Sequence, residues 1–521
     1  MKKLTWIQIL AIFLLIKLAF HLYLNGQWSF HRDGLLYLAL GRHLDWGYAS
    51  VPAGIGFWAW LSGEVLGGTV WVVRLFSTLF GTGTVLLTGL MAKEMLPKNE
   101  ANGRFSAFII GLAGLVSGAF LRPCMLFQPV VFDIFYWTLL CFLFLKYLNT
   151  THSSWLLWFG AAAGIGLLNK YTVFMLLFAL LPGILFTKNR QLLTHKNLYL
   201  SAGLALLIFS PNIAWQITHD FHVFRHISEL AATQFTHVSR SSILLDQLTF
   251  FASALPVWLC GLYFLLFKKA AAPWRLFGWM YLMVLAILEF FNAKSYYSLG
   301  AYPVLLAAGA AYLEQISQAR NRWLRFAIPA YMLVIGAMGM PISLPLFPPA
   351  KEAEMMKKLA WLPGLESSLR WEDGQQHTLP QDFADMIGWE ELGKKVGETW
   401  QQIPDKSTAA IYAENYGQAA AIEQFGKEYG VPNVLSFSDN YRYWLPDSLP
   451  PDFKTLIYVN DELGDDMHGF FQDIEKVWEL DMPLSRQHGT QVYECRNPTT
   501  TFFERVNTAI NKAKNHMNIA H

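Results

Sequence analysis

Charged residues are scarce in this chain of 521 residues, since Asp, Glu, Lys and Arg together account for 15% of the positions. In a typical soluble domain about 25% of the residues are charged, so the composition argues against a mainly water-soluble protein. The net charge of +2 gives no reason to expect a nucleic-acid partner. The four cysteines are scattered, show no metal-ligand spacing and do not define a redox compartment.

Long apolar runs are what the chain has instead. The N-terminal run is not followed by a small-residue cleavage site, so it indicates a first membrane span rather than a signal peptide. Hydropathy predicts spans at 4–24, 70–90, 105–120, 129–148, 155–168, 172–186, 198–217, 243–267, 276–291, 299–316 and 324–344. Because each crossing takes about 20 apolar residues, we expect a polytopic α-helical membrane protein with about 11 transmembrane helices.

Basic residues fall on alternate turns between these spans, at positions 2–3, 93–104, 146, 188–196, 268–275 and 320–325. The positive-inside rule places those turns in the cytoplasm. With an odd number of spans, the C-terminus then lies on the other side. We therefore expect a multi-pass protein of a bacterial inner (plasma) membrane whose C-terminal domain is extracytoplasmic.

The composition changes near residue 345, where the long apolar runs stop. Short β-rich runs at 409–412, 434–437, 455–459 and 491–493 alternate with helical patterns such as 419–429, which is typical of a small α/β domain. We predict a transmembrane domain over 1–345 with a first outer loop at 25–69. An extracytoplasmic α/β domain over 346–506 and a polar tail over 507–521 follow it.

Several ionisable residues converge on the predicted outer face. Asp33, Arg122, Lys170 and Lys294 lie in outer turns, and Arg74 and Asp133 lie about one helical turn inside the second and fourth spans. An ionisable residue at membrane depth costs at least about 2.5 kcal/mol, which makes it a candidate for function. The convergence predicts an outward-facing polar cavity at the membrane surface.

Most of these residues also have a purely structural interpretation. Asp33 is suited to be the N-cap of an interfacial helix over 34–44. Arg74 has an apolar stem that can extend to the interface, and Lys170 and Lys294 are typical interfacial anchors. Asp133 has no local partner in the sequence, which favours a functional role.

Three histidines in the predicted outer turn 218–242 raise the question of a metal. His219, His222 and His226 have helix-compatible spacing, but Asp220 is the only carboxylate close to them in that loop. We therefore favour surface histidines over metal ligands and predict no metal-ligating residues. The sequence requires no cofactor, and a divalent cation stays an open alternative.

Motifs in chain order resemble those of a known family. They are Asp33, Tyr37, His43-Leu44-Asp45-Trp46-Gly47-Tyr48 and Pro52, then Val73-Arg74-Leu75-Phe76-Ser77, Phe132-Asp133-Ile134-Phe135-Tyr136-Trp137, Gly164-Ile165-Gly166-Leu167-Leu168-Asn169-Lys170-Tyr171, Ser210-Pro211-Asn212-Ile213-Ala214-Trp215, Lys294-Ser295-Tyr296-Tyr297 with Tyr302-Pro303, and Glu414-Asn415-Tyr416-Gly417-Gln418-Ala419. Together they resemble a family 39, protein-mannosyltransferase-like glycosyltransferase of the glycosyltransferase C superfamily, related to lipid A aminoarabinose transferase.

The resemblance implies transfer of a sugar from a polyprenyl-phosphate carrier to a lipid, glycan or protein acceptor at the outer membrane face. Two positions depart from the family pattern. Gly34 stands where the family has a Glu after the first-loop Asp, and Ser50-Val51-Pro52 stands where aminoarabinose transferases have Glu-Lys-Pro. The second departure argues against that particular pair of substrates.

Roles follow for the candidate residues. Asp33 is our candidate general base, and a direct displacement with one base would invert the anomeric centre. Arg74 is the first candidate for the carrier phosphate, with Lys170, Lys294 and Arg122 as helpers. Asp133 would orient one of these cations or contact the acceptor, and Tyr37 and Tyr296 are further candidates for substrate binding. The alternative function is a lipid-linked sugar flippase or transporter.

Overall fold

The computed structural model describes residues 4–97, 103–233, 240–362 and 364–515. Helices account for nearly all regular structure up to residue 343, and a small sheet lies in the C-terminal region, which we define as residues 349–515. In chain order, the first sixteen helices are α1 (Trp6–Leu24), α2 (Arg32–Arg42), α3 (Gly54–Trp60), α4 (Val70–Glu94), α5 (Arg104–Val116), α6 (Gly118–Leu121), α7 (Pro129–Thr150), α8 (Ser154–Asn169), α9 (Thr172–Leu185), α10 (Lys196–Thr218), α11 (His222–Thr233), α12 (Arg240–Phe250), α13 (Leu255–Phe267), α14 (Arg275–Phe291), α15 (Tyr302–Ile316) and α16 (Leu324–Ser343).

The chain is a polytopic α-helical membrane protein, but its straight spans are fewer than the sequence predicts. Six helical segments are long and apolar enough to cross a membrane, namely α1, α4, α7, α10, α16 and Lys269–Phe291, which contains α14. Three bent pairs raise the number within the described ranges to nine if each pair is one span. They are Arg104–Val116 with Gly118–Cys124, Thr172–Leu185 with Lys188–Thr194, and Arg240–Phe250 with Ala252–Phe267, bent by 78°, 115° and 65°.

The difference from about eleven spans has a physical reason. A hydropathy window measures the composition of a segment. Its value does not change when the segment bends or when the helix within it is short, so neither the bent pairs nor two further short helices could be recognised. Helices α8 and α15 occupy predicted spans but have only 16 and 15 residues. Each predicted span therefore contains a helix, and the overestimate concerns how many are long and straight.

Small residues bring helices into close contact in the membrane part. Helices α13 and α15 cross where Gly261 faces the Leu305 carbonyl and Gly309 faces the Val257 carbonyl, with no room for a Cβ at either glycine. Close backbone approach at small residues is the usual way in which helices pack without help from the hydrophobic effect. The tight packing at this crossing belongs to the largest core cluster, which runs through the membrane part.

The C-terminal region contains seven more helices and four strands. The helices are α17 (Pro349–Lys358), α18 (Leu365–Ser368), α19 (Gln381–Ala384), α20 (Trp389–Gln402), α21 (Tyr416–Phe425), α22 (Met467–Phe470) and α23 (Thr500–Asn515), and the strands are β1 (Ala409–Ala413), β2 (Thr455–Asn460), β3 (Phe471–Glu479) and β4 (Gln491–Pro498). The sheet order is β1-β2-β4-β3, with β1 parallel to β2 and the other pairs antiparallel. Three of the four strands coincide with predicted β runs.

Two details of the C-terminal region differ from the sequence prediction. The run at 434–437 forms only a single bridge, from Leu435 to Tyr412, and is not a strand of the sheet. Strand β3 was missed because its largely exposed positions carry charged residues and obscure the apolar alternation. Helix α23 extends to Asn515 and packs Phe502 against Phe471, so it runs into the segment predicted as a polar tail.

Helix α2, within the first loop between α1 and α4, is buried between the membrane helices and the C-terminal region. Its residues Leu35 and Ala39 share one core cluster with Trp389 of α20 and Ala420 of α21. At its C-terminal end, Arg42 pairs with Glu423 at 3.0 Å. The C-terminal region therefore packs directly on the first loop, which contains the first candidate site residue.

Gly261→Ala should destabilise the protein, because the added methyl group would collide with the Leu305 carbonyl. Overpacking of this kind costs about 1–3 kcal/mol. Gly203→Ala is the matched control, since a Cβ there meets nothing within 4 Å. Thermal unfolding in detergent should show a lower midpoint for Gly261→Ala only, and equal midpoints for both variants would contradict the tight crossing.

Candidate active site

Arg74 holds the start of the first loop. Its guanidinium is 2% exposed and donates hydrogen bonds to the carbonyls of Asn25 at 2.9 Å, Trp28 at 2.9 Å and Ser29 at 2.6 Å. A further contact at 3.1 Å joins it to Met386 Sδ of the C-terminal region. These contacts favour a structural role for Arg74 over the predicted grip on the carrier phosphate.

Helix α2 begins two residues earlier than predicted, at Arg32. Its N-cap is His31, whose Nδ1 accepts a hydrogen bond of 3.1 Å from the backbone N–H of Asp33. The interpretation of Asp33 as the N-cap is therefore wrong. The carboxylate of Asp33 does not cap the helix and can therefore accept hydrogen bonds from other partners.

The Asp33 carboxylate is positioned by two neutral donors from separate parts of the chain. Gln128 Nε2 donates to Oδ2 at 3.0 Å, and the Tyr416 hydroxyl donates to Oδ1 at 2.9 Å. Arg32 Nε lies 3.9 Å from Oδ1, and its guanidinium stacks 4.8 Å from the centre of the Tyr416 ring. The side chain is 29% exposed, and each oxygen has spare acceptor capacity. It is a fixed, accessible carboxylate.

A charge network connects the same helix end to the C-terminal region. His31 Nε2 lies 3.7 Å from Asp382 Oδ1 and 3.9 Å from Asp385 Oδ2. Arg122 pairs with Asp382 at 2.5 Å, and Arg486 pairs with Asp385 at 3.0 Å. Arg122 is thus already engaged by a carboxylate, which weakens its expected role as a helper for phosphate.

Opposing effects set the protonation of this network. Burial alone would lower the pKa of His31, but Asp382, Asp33 and Asp385 outweigh it and raise that pKa. Burial disfavours the charged form of Asp382, yet Arg122 and His31 hold its pKa below the usual value. Burial raises the pKa of Asp385 despite the neighbouring cations. The network therefore keeps Asp382 ionised beside the ring of His31.

A second cluster surrounds Asp133, which lies one turn into α7 and is 4% exposed. The Thr172 hydroxyl donates to Asp133 Oδ1 at 2.7 Å, and Lys170 Nζ lies 3.9 Å from Oδ2. Lys170 also lies 5.2 Å from the centre of the Tyr296 ring and 4.9 Å from that of Tyr297. The buried Asp133 orients the ammonium of Lys170 rather than facing open space.

Lys294, Tyr296 and Tyr37 connect the two clusters. Lys294 Nζ lies 6.0 Å from the centre of the Tyr296 ring, and burial lowers its pKa against the opposing charges of Glu372 and Asp33. Burial raises the pKa of Tyr296, with smaller contributions from Asp33 and Asp133. Tyr37 is 8% exposed, and burial followed by the Asp33 charge raises its pKa. All eight predicted residues are thus accounted for, with Asp33, Asp133, Lys170, Lys294, Tyr37 and Tyr296 around one site.

The Trp-Gly-Tyr motif of the first loop has an architectural role. Asn212 Nδ2 donates to the Trp46 carbonyl at 2.6 Å, and Trp215 Nε1 donates to Asp45 Oδ2 at 2.9 Å. A side chain at Gly47 would collide with the Trp215 ring. Two sequence motifs separated by more than 160 residues therefore contact each other and fix the far end of the loop.

Sequence reasoning missed most residues that position Asp33. Tyr416 lies in a motif that was noted without a role, and Gln128 is the residue before α7 in a predicted outer turn. Nothing in the local sequence marks His31, Asp382 or Asp385, because their proximity arises only when the C-terminal region packs on the first loop.

The histidines of the predicted outer turn have aromatic neighbours. The His219 ring stacks 4.0 Å from Trp215, and the His222 ring lies 5.9 Å from Tyr443, with ring centres as the reference points. The side chain of His226 lies outside the described residues. Over the described ranges, no group of three or more His, Cys, Asp or Glu side chains is arranged to hold a metal ion.

Comparison with known proteins supports the resemblance noted in the sequence. Residues 50–215 match the family model for dolichyl-phosphate-mannose-protein mannosyltransferase. ArnT from Cupriavidus metallidurans in the apo state has a TM-score of 0.61 at 13% identity, and the form bound to undecaprenyl phosphate has 0.62 at 12%. Both alignments cover 93% of this chain and 97% of the ArnT chain.

A third solved structure is more distant. The apo oligosaccharyltransferase from Archaeoglobus fulgidus has a TM-score of 0.51 at 11% identity, over 88% of this chain and 70% of that chain. No curated protein matches significantly. The chain therefore has the fold of these solved structures over most of its length.

The network around His31 predicts a pH dependence of stability. Because the pKa of His31 is raised above its unfolded value of about 6.5, its contribution is complete below that pH and is lost as pH rises through the folded pKa. The unfolding midpoint in detergent should therefore fall more between about pH 6 and pH 9 for wild type than for His31→Asn. An identical fall in both proteins would show that His31 does not titrate in this network.

Proposed function

We propose that this chain is a membrane glycosyltransferase that moves a sugar from a polyprenyl-phosphate carrier to an acceptor hydroxyl, with inversion at the anomeric carbon. The observation that carries the proposal is the Asp33 carboxylate, which is fixed by Tyr416 and Gln128, stays partly exposed and acts on the charge of Lys294. Glycosyl transfer needs an activated hydroxyl, a stabilised phosphate leaving group and exclusion of water. This site offers groups for each need.

Asp33 acts as the general base. The acceptor oxygen attacks the anomeric carbon, the bond from that carbon to the carrier phosphate breaks, and the hydroxyl proton passes to Asp33. The hydrogen bonds from Gln128 and Tyr416 hold the carboxylate in one orientation, so little reorganisation is needed before reaction. A single displacement of this kind inverts the anomeric centre.

Lys294 and Lys170 are the proposed partners of the carrier phosphate. In the part of the chain that the structure describes, neither ammonium forms a short ion pair, and the Asp133 oxygen nearest Lys170 lies 3.9 Å away. The Tyr296 ring faces both lysines, 5.2 Å from Lys170 and 6.0 Å from Lys294. Preorganised cations in such a site stabilise the charge that develops on the leaving phosphate. Arg74 is engaged by backbone carbonyls and Arg122 pairs with Asp382, so neither is proposed for this step.

The comparisons support the substrate class but not the sugar. ArnT is similar in fold and was solved with undecaprenyl phosphate, and the matching family model is described by dolichyl-phosphate-mannose. A polyprenyl phosphate carrier is the chemistry that both share. Aromatic side chains of α3, α4 and α7 surround the start of α7, including Trp58, Phe80 and Phe132, and offer an apolar wall for such a chain.

The membrane arrangement is part of the proposal. The transmembrane domain would span 1–345, the α/β domain 346–506 and the polar tail 507–521, with the site and the α/β domain on the extracytoplasmic face of a bacterial inner membrane. The alternation of basic turns supports that orientation. The described residues do not favour a flippase or transporter, since the candidate charges lie at one end of the membrane helices.

Asp33→Asn should abolish transfer while the protein folds and inserts, because the amide cannot take the proton. The assay follows consumption of labelled polyprenyl-phosphate sugars by purified protein in detergent, and we expect a loss of at least about 100-fold. Asp45→Asn is the matched control, since Asp45 is an exposed carboxylate of the same loop that pairs with Trp215. Full activity in Asp33→Asn would exclude Asp33 as the base.

Tyr416→Phe should lower kcat about tenfold, because loss of one hydrogen bond to a charged group is worth about 1.5–3 kcal/mol and only part of it is felt in the transition state. The ring that stacks on Arg32 is kept, so folding should not change. Tyr412→Phe is the control, since that hydroxyl donates to Glu414 instead. If both variants retain wild-type kcat, Tyr416 does not orient the base.

A further inference from the structure

The imidazole of His31 has two different contacts at once. Its Nδ1 accepts the backbone N–H of Asp33, which caps α2. Because Nδ1 is the acceptor, the hydrogen of the neutral ring is on Nε2, and Nε2 is the atom that faces Asp382 and Asp385 at 3.7 and 3.9 Å. One side of the ring thus holds the residue that carries the candidate base, and the other side faces the C-terminal region.

Residues 382–386, which we call the docking segment, contact the first loop at His31 and Arg32 and contact Arg74, which in turn holds the loop. The carboxylates of Asp382 and Asp385 face His31, and the Asp385 carbonyl accepts the backbone N–H of Arg32 at 3.0 Å. Met386 Sδ contacts the same guanidinium that holds the Ser29 carbonyl. The segment therefore follows the loop from the start of its fixed part to the first turn of α2.

The docking segment is itself held firmly. Arg122 from the membrane part pairs with Asp382, and Arg486 pairs with Asp385, while Trp389 Nε1 donates to the Asp385 carbonyl at 2.7 Å. These contacts come from the membrane part and from two separate stretches of the C-terminal region. A rigid segment can transmit position, and a mobile one cannot.

A second histidine cap shows what is special about His31. His195 caps α10 in the same way, with its Nδ1 accepting from the Asn197 N–H at 3.2 Å, and its ring faces Tyr147 rather than carboxylates. Asn, Asp and Ser side chains are the preferred N-caps of helices. A helix cap alone therefore does not require an imidazole. A side chain that caps the helix and also faces the carboxylates of Asp382 and Asp385 at 3.7–3.9 Å does require one.

We propose that His31 is a positioning residue through which the docking segment sets the orientation of Asp33, so that the candidate base is correctly placed only when the C-terminal region is packed on the first loop. This rests on the function proposed above for Asp33. The C-terminal region then completes the catalytic site through His31 and Tyr416, in addition to any contact with substrate. His31 touches no reacting atom and acts only through the first turn of α2.

The experiment compares the full-length protein with His31→Asn, Asp382→Asn and His195→Asn. Asn at position 31 keeps the cap but is too short to reach the docking segment. We expect kcat to fall about 10-fold or more for His31→Asn and Asp382→Asn, since small misplacement of a reacting group costs up to about 100-fold. The KM for the lipid-linked donor should change less than about threefold, because the lysines are untouched. His195→Asn should match wild type.

Amide hydrogen exchange over residues 29–42, measured on the same four proteins, separates this inference from the proposed function. Exchange should be faster in His31→Asn and Asp382→Asn than in wild type and His195→Asn, whether or not any donor is turned over. Unchanged exchange would overturn the proposal. Wild-type kcat in His31→Asn would also overturn it, because His31 would then be a helix cap only. If wild type consumes no donor, the function fails, and the exchange comparison still decides the coupling.

Discussion

The buried guanidinium of Arg74 is the contact on which the candidate site depends. Three backbone carbonyls of residues 25–29 accept its hydrogen bonds, and these carbonyls would otherwise need water in a place where little is available. Once the loop is held there, α2 can begin at Arg32 with its cap in place, and Asp33 is directed toward Gln128 and Tyr416. An arginine suits this task because its planar group carries several donors and keeps its charge.

The arginines and the lysines near the site have different roles. The arginines Arg74, Arg122 and Arg486 are engaged by carbonyls or carboxylates that fix the first loop and the docking segment. The lysines Lys170 and Lys294 rest on tyrosine rings, with no carboxylate oxygen of Asp133 or Asp33 in a short ion pair with them. A buried charge without a close partner is costly, so the two ammonium groups are well placed to gain from an incoming phosphate.

The sequence supports prediction of the membrane helices and of two acidic residues, and the limits follow from what local patterns encode. Asp33 and Asp133 were recognisable because an ionisable residue beside or inside an apolar run is expensive. Arg74 was recognised for the same reason, but its partners are backbone carbonyls, which leave no signal in a sequence. Tyr416 and the docking segment lie more than 340 residues from Asp33, and only the packing of the C-terminal region brings them close. The bends in three apolar segments likewise leave their hydropathy unchanged.

The central claim is a direct displacement by the acceptor hydroxyl with Asp33 as its base, and the anomeric configuration of the product tests this directly. The donor would be a polyprenyl-phosphate sugar of known configuration that the purified protein consumes, and the product would be examined by nuclear magnetic resonance before any mutarotation. Inversion is the result that the geometry around Asp33 predicts, because an acceptor hydroxyl activated there attacks the face opposite the phosphate. Retention would contradict it, since it requires a second displacement and a covalent sugar intermediate on a protein nucleophile.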